Sequence, residues 1–301
     1  DLTSIERSLL ASSLDSVNNF VDTSSFLTND SFSFVYKNYK SILDKCYKHR
    51  TLKNIAEDVA TGVSSGLDKA YVYKDSEINE LLLEKDLLKK LIIGGEINRF
   101  SLNPISGKSL VYITNENNIS EFPNTEKQLL QFKNQLIKRR EAANGTIEWY
   151  SLNWPRRKKL FDNPKILIRQ TANRIIAAFD NDGWYCLKSG LIVQLPDNSD
   201  LHYYYLLALL NSKLFDFLYH DLVNEDNRIF PEVKPIQLFK LPIKEAIKNE
   251  QEPIINLVEQ ISTAKSNGLT TDNIESQIDH LVYQLYDLTD EEIKIIENSV
   301  K

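Results

Sequence analysis

The chain has 301 residues, 42% apolar and 26% charged, so it can bury one large core or two small ones. Every apolar run is shorter than the roughly 18 residues that span a bilayer, and the N-terminus has no charged-then-apolar leader, so we expect neither a membrane segment nor a secretion signal. Cys46 and Cys186 have no metal-ligand spacing, and we interpret them as free thiols of a cytoplasmic protein. Methionine is absent, which indicates a fragment or a sequence whose methionines are missing; in neither case do we expect a full enzyme.

The net charge of −6 is unevenly distributed. From Lys133 to Arg174 there are eleven Lys and Arg against three Asp and Glu, whereas from Ala246 to Lys301 there are four Lys against eleven Asp and Glu. Polyanions bind local cationic surface rather than total charge, so this pattern allows a nucleic-acid partner. The alternative is two solvated faces of opposite sign.

The first half of the chain predicts mainly helices, separated by short strands and glycine turns. In chain order the predicted elements are helices at 2–21 and 31–47 (the second with an apolar stripe of Phe32, Phe34, Val35, Tyr39, Ile42 and Leu43), a short helix or turn at 51–59, a tight loop between Gly62 and Gly66, a strand at 69–73, a leucine-rich helix at 81–93, a strand at 109–113 and a cationic helix at 121–143.

The second half predicts strands followed by helices. The elements are strands at 165–169, 174–179 and 184–194, a hairpin turn at 180–183 between the last two, an apolar helix at 203–219, proline-flanked pieces at 229–236 and 238–243, an acidic helical hairpin at 252–265 and 272–286, and a last helix capped by Thr289 and Glu292. We expect an α+β fold: a mixed-sheet domain at 51–245, flanked by an N-terminal helical segment at 1–50 and an acidic helical segment at 246–301.

Motifs of catalysis are almost absent from the sequence. It has no glycine-rich nucleotide loop, no Walker loop, no Gly-x-Ser-x-Gly and no His-Glu-x-x-His, and its four histidines have no metal spacing. Glu232-Val233-Lys234 matches the Glu-x-Lys of one nuclease class, with Asp221 or Asp226 as the upstream acid, but Pro231 and Pro235 argue against a regular central strand there. The Asn-Pro-Pro-Tyr motif of DNA amino-methyltransferases is absent too, so any catalytic part would lie outside this chain.

One stretch combines aromatic and basic residues just before an apolar strand. It runs Trp149-Tyr150-Ser151-Leu152-Asn153-Trp154-Pro155-Arg156-Arg157-Lys158-Lys159. We expect a core position for Trp149, whereas Trp154 is either a core residue or an exposed platform. The cations suit DNA phosphates, which position a protein on its site. The residues predicted to contact phosphate are Lys138, Arg139, Arg140, Arg156, Arg157, Lys158 and Lys159.

A second stretch holds the residue types that read bases. Arginine pairs with guanine and Asn or Gln with adenine through two-pronged contacts. Arg169, Gln170, Asn173 and Arg174 supply this set within six residues at a junction between strands. The alternative is a polar hairpin without a ligand. Ser64 and Ser65, next to Gly66, form a further loop that we predict to approach a DNA backbone closely.

Several strings along the chain fit one family in order. They are Gly62-Val63-Ser64-Ser65-Gly66 with Ala70-Tyr71; Leu91-Ile92-Ile93-Gly94-Gly95-Glu96-Ile97-Asn98-Arg99-Phe100; Trp149, Leu152, Pro155 and Arg156; Pro164-Lys165-Ile166; Leu209-Leu210-Asn211-Ser212-Lys213; Leu241-Pro242-Ile243; and a tail from Leu281 to Ile293. Together they resemble the TaqI-like C-terminal specificity domain of type IIG restriction-modification enzymes and adenine-specific DNA methyltransferases. Ile93 stands where the family usually has arginine, and Asp287 where it commonly has glycine.

The resemblance implies a target-recognition domain that binds double-stranded DNA. It would hold the site while an N-terminal methyltransferase domain of the same parent chain, using S-adenosylmethionine, flips and methylates an adenine at N6. For the fragment itself the resemblance implies no catalysis and no cofactor. A helical assembly module of the same system is the alternative, and a divalent-metal nuclease domain a further one.

Overall fold

Two four-stranded sheets and a layer of helices organise the part of the chain that the computed structural model describes, residues 39–223 and 232–300. The predicted helix at 2–21, and the Phe32, Phe34 and Val35 part of the next one, lie outside these residues, as does Asp226. Helices and strands are both abundant, so the predicted α+β class is confirmed.

The helices are α1 (Lys40–Tyr47), α2 (Leu52–Ile55), α3 (Asp68–Tyr71), α4 (Asp75–Leu81), α5 (Pro123–Leu130), α6 (Lys133–Leu136), α7 (Arg140–Ala143), α8 (Lys159–Asp162), α9 (Tyr203–Asn211), α10 (Lys213–Val223), α11 (Pro235–Leu238), α12 (Lys248–Ser266), α13 (Asp272–Leu285) and α14 (Asp290–Ser299). The strands are β1 (Asp58–Thr61), β2 (Val72–Lys74), β3 (Leu88–Ile92), β4 (Ile97–Asn98), β5 (Ser101–Leu102), β6 (Lys108–Val111), β7 (Lys165–Arg169), β8 (Ala177–Asp180), β9 (Tyr185–Cys186) and β10 (Gly190–Gln194).

The central sheet is antiparallel and has the order β1-β10-β7-β8. Both faces of its inner strands are buried, which explains why β7 and β10 read as unbroken apolar runs. Side chains alternate between two cores: Ile166 and Ile168 point into one, and Leu167 and Ile192 into the other. The central sheet is therefore the middle of three layers.

The helical layer covers one face of the central sheet. Ile42 of α1, Leu206 of α9, Ile254 of α12, Ile278 of α13 and Ile296 of α14 belong to one buried cluster with the β7 side chains. The acidic C-terminal helices therefore share a core with the central sheet. No helix among the described residues combines the length and apolarity needed to span a bilayer. The predicted division at residues 50 and 245 remains a prediction.

The second sheet covers the opposite face and has the order β2-β6-β3-β9. Its strands pair antiparallel except β3 and β9, which run parallel with Leu91 opposite Tyr185, so the predicted mixed sheet is present. Leu129 of α5 and Leu152 complete this second core. Cys186 is buried here and Cys46 in the first core; both are free, and burial raises the pKa of each thiol to about 12.

The leucine-rich helix predicted at 81–93 is wrong. The only α-helix of this stretch ends at Leu81, and Leu88–Ile92 is the strand β3, paired with β6. Between them, the Glu84 carboxylate accepts the backbone N–H groups of Asn124 and Thr125 at the start of α5, at 2.8 and 3.0 Å. The strand predicted at 69–73 is shorter than expected, because Asp68–Tyr71 forms a helical turn.

The hairpin predicted around residues 180–183 is also wrong, although the turn exists. Strand β8 pairs with β7, and the chain then crosses to the other sheet, where β9 pairs with β3. The Asp180 carboxylate directs this crossing, because it accepts the backbone N–H groups of Asp182 and Trp184 and contacts Lys165 at 2.5 Å.

The two long predicted helices at 121–143 and 203–219 are each divided. The first forms α5, α6 and α7. The second breaks at Ser212, because the Asn211 side chain turns to bond the backbone of Ala177 at 2.9 and 3.0 Å, and the Ser212 hydroxyl accepts the Phe215 N–H at the start of α10. The acidic helical hairpin and the capping box of Thr289 and Glu292 are confirmed.

Candidate nucleic-acid interface

The loop of Ser64, Ser65 and Gly66, here called the serine loop, joins the chain segment that carries Trp154. Ser64 and Trp154 exchange two backbone hydrogen bonds of 3.0 and 2.8 Å. The Arg139 Nη1 donates to the Ser65 carbonyl at 2.9 Å. Four of the predicted contact residues, from three distant parts of the sequence, are therefore neighbours.

Arg139 has a structural task in this arrangement. Its Nε, Nη1 and Nη2 donate to the carbonyls of Leu136, Ser65 and Trp149 at 3.0, 2.9 and 2.8 Å. Gly66 has a φ of 80°, and a Cβ there would lie 2.7 Å from the Arg139 Cδ, so only glycine allows this approach. The Ser65 side chain is buried and bonds Asp68 and the Leu67 N–H, so its hydroxyl points into the protein. Arg140, by contrast, is exposed at the first residue of α7.

The residues from Trp154 to Lys159, here called the basic strip, run along β1, the edge strand of the central sheet. Trp154 is 54% exposed, which favours the platform over the core position. Arg156 has a left-handed backbone (φ 65°), costly for a side chain with a Cβ. Its Nη2 donates to the Thr61 hydroxyl at 2.6 Å, and its carbonyl accepts the Tyr112 hydroxyl at 2.8 Å.

Arg157 and Lys159 reach the other end of β1. Arg157 pairs with Asp58 and Lys159 with Glu57, each at 2.7 Å. The hydrogen bond and charge of Lys159 lower the pKa of the Glu57 carboxyl. The Arg157 side chain is 66% exposed, and ion pairs this accessible hold their partners weakly. The cations of these pairs can therefore exchange a carboxylate for a phosphate at little cost.

A cleft of about 450 Å³ lies beside the basic strip. Its lining combines cations, polar loop residues and apolar side chains: Tyr112, Thr114, Asn115, Glu116, Ile147, Leu152, Pro155, Arg156, Arg157 and Lys158. The Lys158 ammonium lies 5.8 Å from the Tyr112 ring centre, within the range of a cation–π contact.

Residues 169–174, here called the polar turn, follow β7. The turn is closed by its backbone: Arg169 N–H donates to the Ile176 carbonyl at 2.9 Å, and Gln170 N–H to the Ser189 carbonyl at 3.0 Å. The Gln170 carbonyl accepts the Val233 N–H at 2.7 Å. Asn173 is exposed.

Arg174, whose side chain is 33% exposed, ends the polar turn in an ion pair with a buried carboxylate. Its Nη2 contacts Oδ2 of Asp216, which is 0% exposed in α10, while Asp216 Oδ1 accepts the Ile175 N–H at 3.2 Å. Burial raises the pKa of the Asp216 carboxyl to about 6, against the opposing effect of Arg174 and Arg99.

The register of the central sheet brings the serine loop and the polar turn to one end. Gly62 N–H donates to the Gly190 carbonyl, and Gly190 lies opposite Arg169. A Cβ on Gly62 would lie 2.3 Å from the Cys186 carbonyl oxygen, so this approach requires glycine. A Cβ on Gly94 would lie 3.3 Å from the Ser189 carbonyl oxygen and 3.9 Å from Arg169 Cγ. Four loops therefore meet there: 62–66, 94–95, 169–174 and 187–190.

Two residues that the sequence did not suggest lie beside the candidate site. Lys188 and Ser189 are exposed in the fourth loop, which a single predicted strand at 184–194 had concealed; the Lys-Ser-Gly sequence was a usable turn signal. Asp216 was missed inside an apolar helix, where a lone acid among buried side chains indicates a buried partner.

The nuclease-like triplet does not form a metal site in the described residues. Glu232 makes an isolated bridge with Thr171, and Val233 is buried. Residues 39–223 and 232–300 contain no group of three or more His, Cys, Asp or Glu that could hold a metal ion.

Comparison with known proteins gives consistent names. The family model of the TaqI-like C-terminal specificity domain matches residues 89–243. The type II methyltransferase M.MjaIV of Methanocaldococcus jannaschii is 28% identical over 254 residues, covering 78% of this chain and 80% of that protein. The putative type II restriction enzyme and methyltransferase RM.MjaORFECS2P of the same organism is 31% identical over 140 residues, covering 42% of this chain and 11% of that protein.

A solved structure shares the fold. The type IIL restriction-modification enzyme MmeI, determined in complex with DNA, superposes with a TM-score of 0.62 at 14% sequence identity. The match covers 83% of this chain and 35% of the MmeI chain, so this chain spans about a third of that enzyme.

Proposed function

We propose, from the premise that the chain belongs to the family of TaqI-like C-terminal specificity domains, that it binds duplex DNA at the target site of a restriction-modification adenine-N6 methyltransferase. The observation that carries this proposal is the meeting of four loops at one end of the central sheet, with the basic strip beside them. A helical assembly module would not need this arrangement, and the family match does not favour that alternative.

The predicted contact residues fall into two groups, according to whether their hydrogen-bond donors are exposed or bonded within the protein. Arg157 and Lys159 are held by exposed pairs and Arg140 is exposed, so these cations are our choice for phosphate contacts. Gln170 and Asn173 of the polar turn are our choice for base contacts, with Arg169 beside Gly94 and Ser189. Lys188 and Ser189 join them as new candidates.

In our proposal the other predicted residues shape the site, and Arg156 and Lys158 do so while remaining exposed. Ser65 and Arg139 shape the serine loop, and Arg174 fixes the end of the polar turn. Ser64 holds Trp154 in place, Arg156 anchors the basic strip to β1, and Lys158 lies against Tyr112. Direct DNA contact by these residues remains a prediction.

The methyl donor of the parent enzyme would be S-adenosylmethionine, because the relatives that match are named methyltransferases. The glycine pair of the candidate site leaves no room for that cofactor. Gly62 and Gly66 form the tight glycine pair of the site, and the space a side chain would take there is filled by Cys186, Leu187 and Arg139. We therefore propose that the cofactor and the methyl transfer belong to a catalytic domain elsewhere in the parent enzyme.

The test is the salt dependence of duplex binding by the full chain, measured with a randomised duplex pool. A DNA reader with about six phosphate contacts loses affinity steeply between about 50 and 200 mM salt, because bound cations release counterions from the DNA. Retention that is weak at every salt concentration, or independent of salt, contradicts the proposal. Replacement of Arg157 by Glu tests the strip, with Lys294→Glu on α14 as the matched charge reversal; equal loss in both variants removes the strip from the interface.

A further inference from the structure

The acidic C-terminal helices are linked to the polar turn by a chain of ion pairs. Arg174 of the turn contacts Asp216 of α10. The same Asp216 Oδ2 lies 4.0 Å from the Arg99 Nη1, in the β4–β5 turn. Arg99 in turn places Nε and Nη2 at 2.9 and 2.8 Å from the Glu275 Oε2 of α13.

The backbone near Arg99 is held from the same helices. Lys265 of α12 donates to the Arg99 carbonyl at 2.7 Å, and the Thr271 hydroxyl donates to Glu275 Oε1 at 2.7 Å, which orients that carboxylate. Phe100, next in sequence, has a left-handed backbone (φ 62°) and donates its N–H to the Ala177 carbonyl of β8 at 2.8 Å. The β4–β5 turn is thus fixed between the C-terminal helices and the strand that follows the polar turn.

Asp216 holds Arg174, the last residue of the polar turn, and Ile175, the residue after it, through its two oxygens. One accepts the Ile175 N–H and the other contacts the Arg174 guanidinium. A charge as deeply buried as Asp216 is tolerated only with partners, and Arg174 and Arg99 are the cations that face it. Loss of the Glu275 carboxylate removes the contacts that hold the Arg99 guanidinium, and with them the position of Arg99 Nη1 beside Asp216.

We propose that Asp216 and Glu275 are positioning residues for DNA recognition: through Arg99 and Arg174, the acidic C-terminal helices set the conformation of the polar turn without touching DNA. This inference rests on the proposed function, since it assigns a task within DNA reading. It also gives one acid of residues 246–301, Glu275, a task in a DNA-binding protein.

The test compares Glu275→Gln and Asp216→Asn with Glu252→Gln, which removes the same charge from an exposed position of α12. The first readout is amide hydrogen exchange of residues 170–176 in the free full chain, relative to β10. We expect exchange about tenfold faster in Glu275→Gln and Asp216→Asn, and no change in Glu252→Gln. The Glu275 side chain is 17% exposed and that of Asp216 is 0% exposed, so Glu275→Gln keeps the test decisive where Asp216→Asn does not fold.

The second readout is discrimination, the ratio of the Kd for a scrambled duplex to that for a duplex enriched by the wild-type chain from a randomised pool. A displaced reading residue lowers this ratio by about tenfold while the salt slope, which counts phosphate contacts, stays unchanged. A purely structural role would lower stability without changing a ratio of two Kd values.

The outcomes separate the two proposals. A wild-type chain without salt-sensitive duplex binding overturns the proposed function and this inference with it. A wild-type chain that binds and discriminates, with the ratio unchanged in Glu275→Gln, overturns the inference alone, whatever the exchange shows. An equal fall of the ratio in Glu252→Gln also overturns it, because the effect would then come from net charge.

Discussion

The basic strip and the polar turn both carry arginines predicted to meet DNA, yet they hold them in opposite ways. Arg157 of the strip pairs with Asp58 at the surface, where its side chain is mostly exposed. Arg174 of the turn pairs with Asp216 in the interior. The first pair can open toward a phosphate, whereas opening the second would leave a buried carboxylate without its closest partner.

This contrast shows that the number of cations in a stretch of sequence does not measure the positive charge available to a ligand. The eleven basic residues between Lys133 and Arg174 include Arg139, Lys165 and Arg174, whose charged groups bond the protein itself. The strip supplies charge that a ligand can share. In our proposal the turn reads bases from a scaffold fixed by Asp216, whose charge is buried in the interior.

The largest loss of stability is expected for a substitution in β7, the strand that joins the basic strip to the polar turn. Lys165 and Asp180 are both 0% exposed and contact at 2.5 Å. Lys165→Met strands the Asp180 carboxylate in the core, and we expect a loss of about 3–5 kcal/mol in the free energy of unfolding. Urea denaturation measures this loss, with the exposed Lys188→Met as the control. A loss below about 1 kcal/mol would mean that the buried pair is no stronger than a surface pair.

The next effect concerns pH and the polar turn. Asp216 has a pKa of about 6 in the folded chain, above its ordinary value of 3.8, so the folded state binds this proton more tightly than the unfolded state. The contribution of Asp216 to stability is therefore present below about pH 4 and is lost as the pH rises through 6, a change of about 3 kcal/mol. The charged and titratable groups that face it are Arg174, Arg99 and Tyr283.

Denaturation of wild type and Asp216→Asn at several pH values between 4 and 7 checks this sign. The stability of the wild type relative to the variant should fall across that range. A difference that stays constant, or that rises with pH, would contradict a raised pKa.

The sequence predicted the central sheet better than the connections between strands, for physical reasons visible in single residues. Unbroken apolar runs identify β7 and β10, because both faces of a middle layer exclude water. The turn at 180–183 was equally clear, but its strands pair elsewhere because Asp180 is committed to Lys165 across the sheet. Leu88–Ile92 read as a helix because leucine favours helices, and pairing with β6 overrode that preference.

The candidate site was predicted in its residue types and only partly in its geometry. Local sequence placed cations before β7 and polar side chains after it, and both are found there. It could not show that Arg139 would bond three carbonyls, or that Arg174 would meet Asp216 forty-two positions later, because those partners are set by tertiary packing.

A smaller loss of stability is expected for a substitution in the basic strip. Arg157→Gln removes an exposed pair, so we expect less than about 1 kcal/mol of lost stability. The same change should weaken binding to all duplexes similarly and reduce the slope of log affinity against log salt by about 1. Thermal unfolding and a salt titration of duplex binding measure the two quantities. A loss confined to one duplex sequence would assign Arg157 to base reading instead.

The smallest change in stability is expected outside both the basic strip and the polar turn. Asp287 follows α13 with a left-handed backbone (φ 56°), a conformation that favours glycine. Its contact with Lys48 is 3.6 Å long and exposed, so little is lost with the side chain. Asp287→Gly should therefore raise the free energy of unfolding by about 0.5–1 kcal/mol, measured by urea denaturation, with DNA binding unaltered. A destabilised variant would show that the Lys48 contact outweighs the backbone strain.

A backbone hydrogen bond between Arg169 and Ile176 closes the base of the polar turn, where the chain leaves the central sheet and returns to it. The cost of closing a loop grows only slowly with its length. Extra residues between Gln170 and Asn173 would therefore lengthen the loop beyond this hydrogen bond, while β7 and β8 keep their register and both cores keep their packing. Under the proposed function, recognition of a new DNA sequence would therefore require the exchange of a few residues in this turn and no change in the rest of the fold.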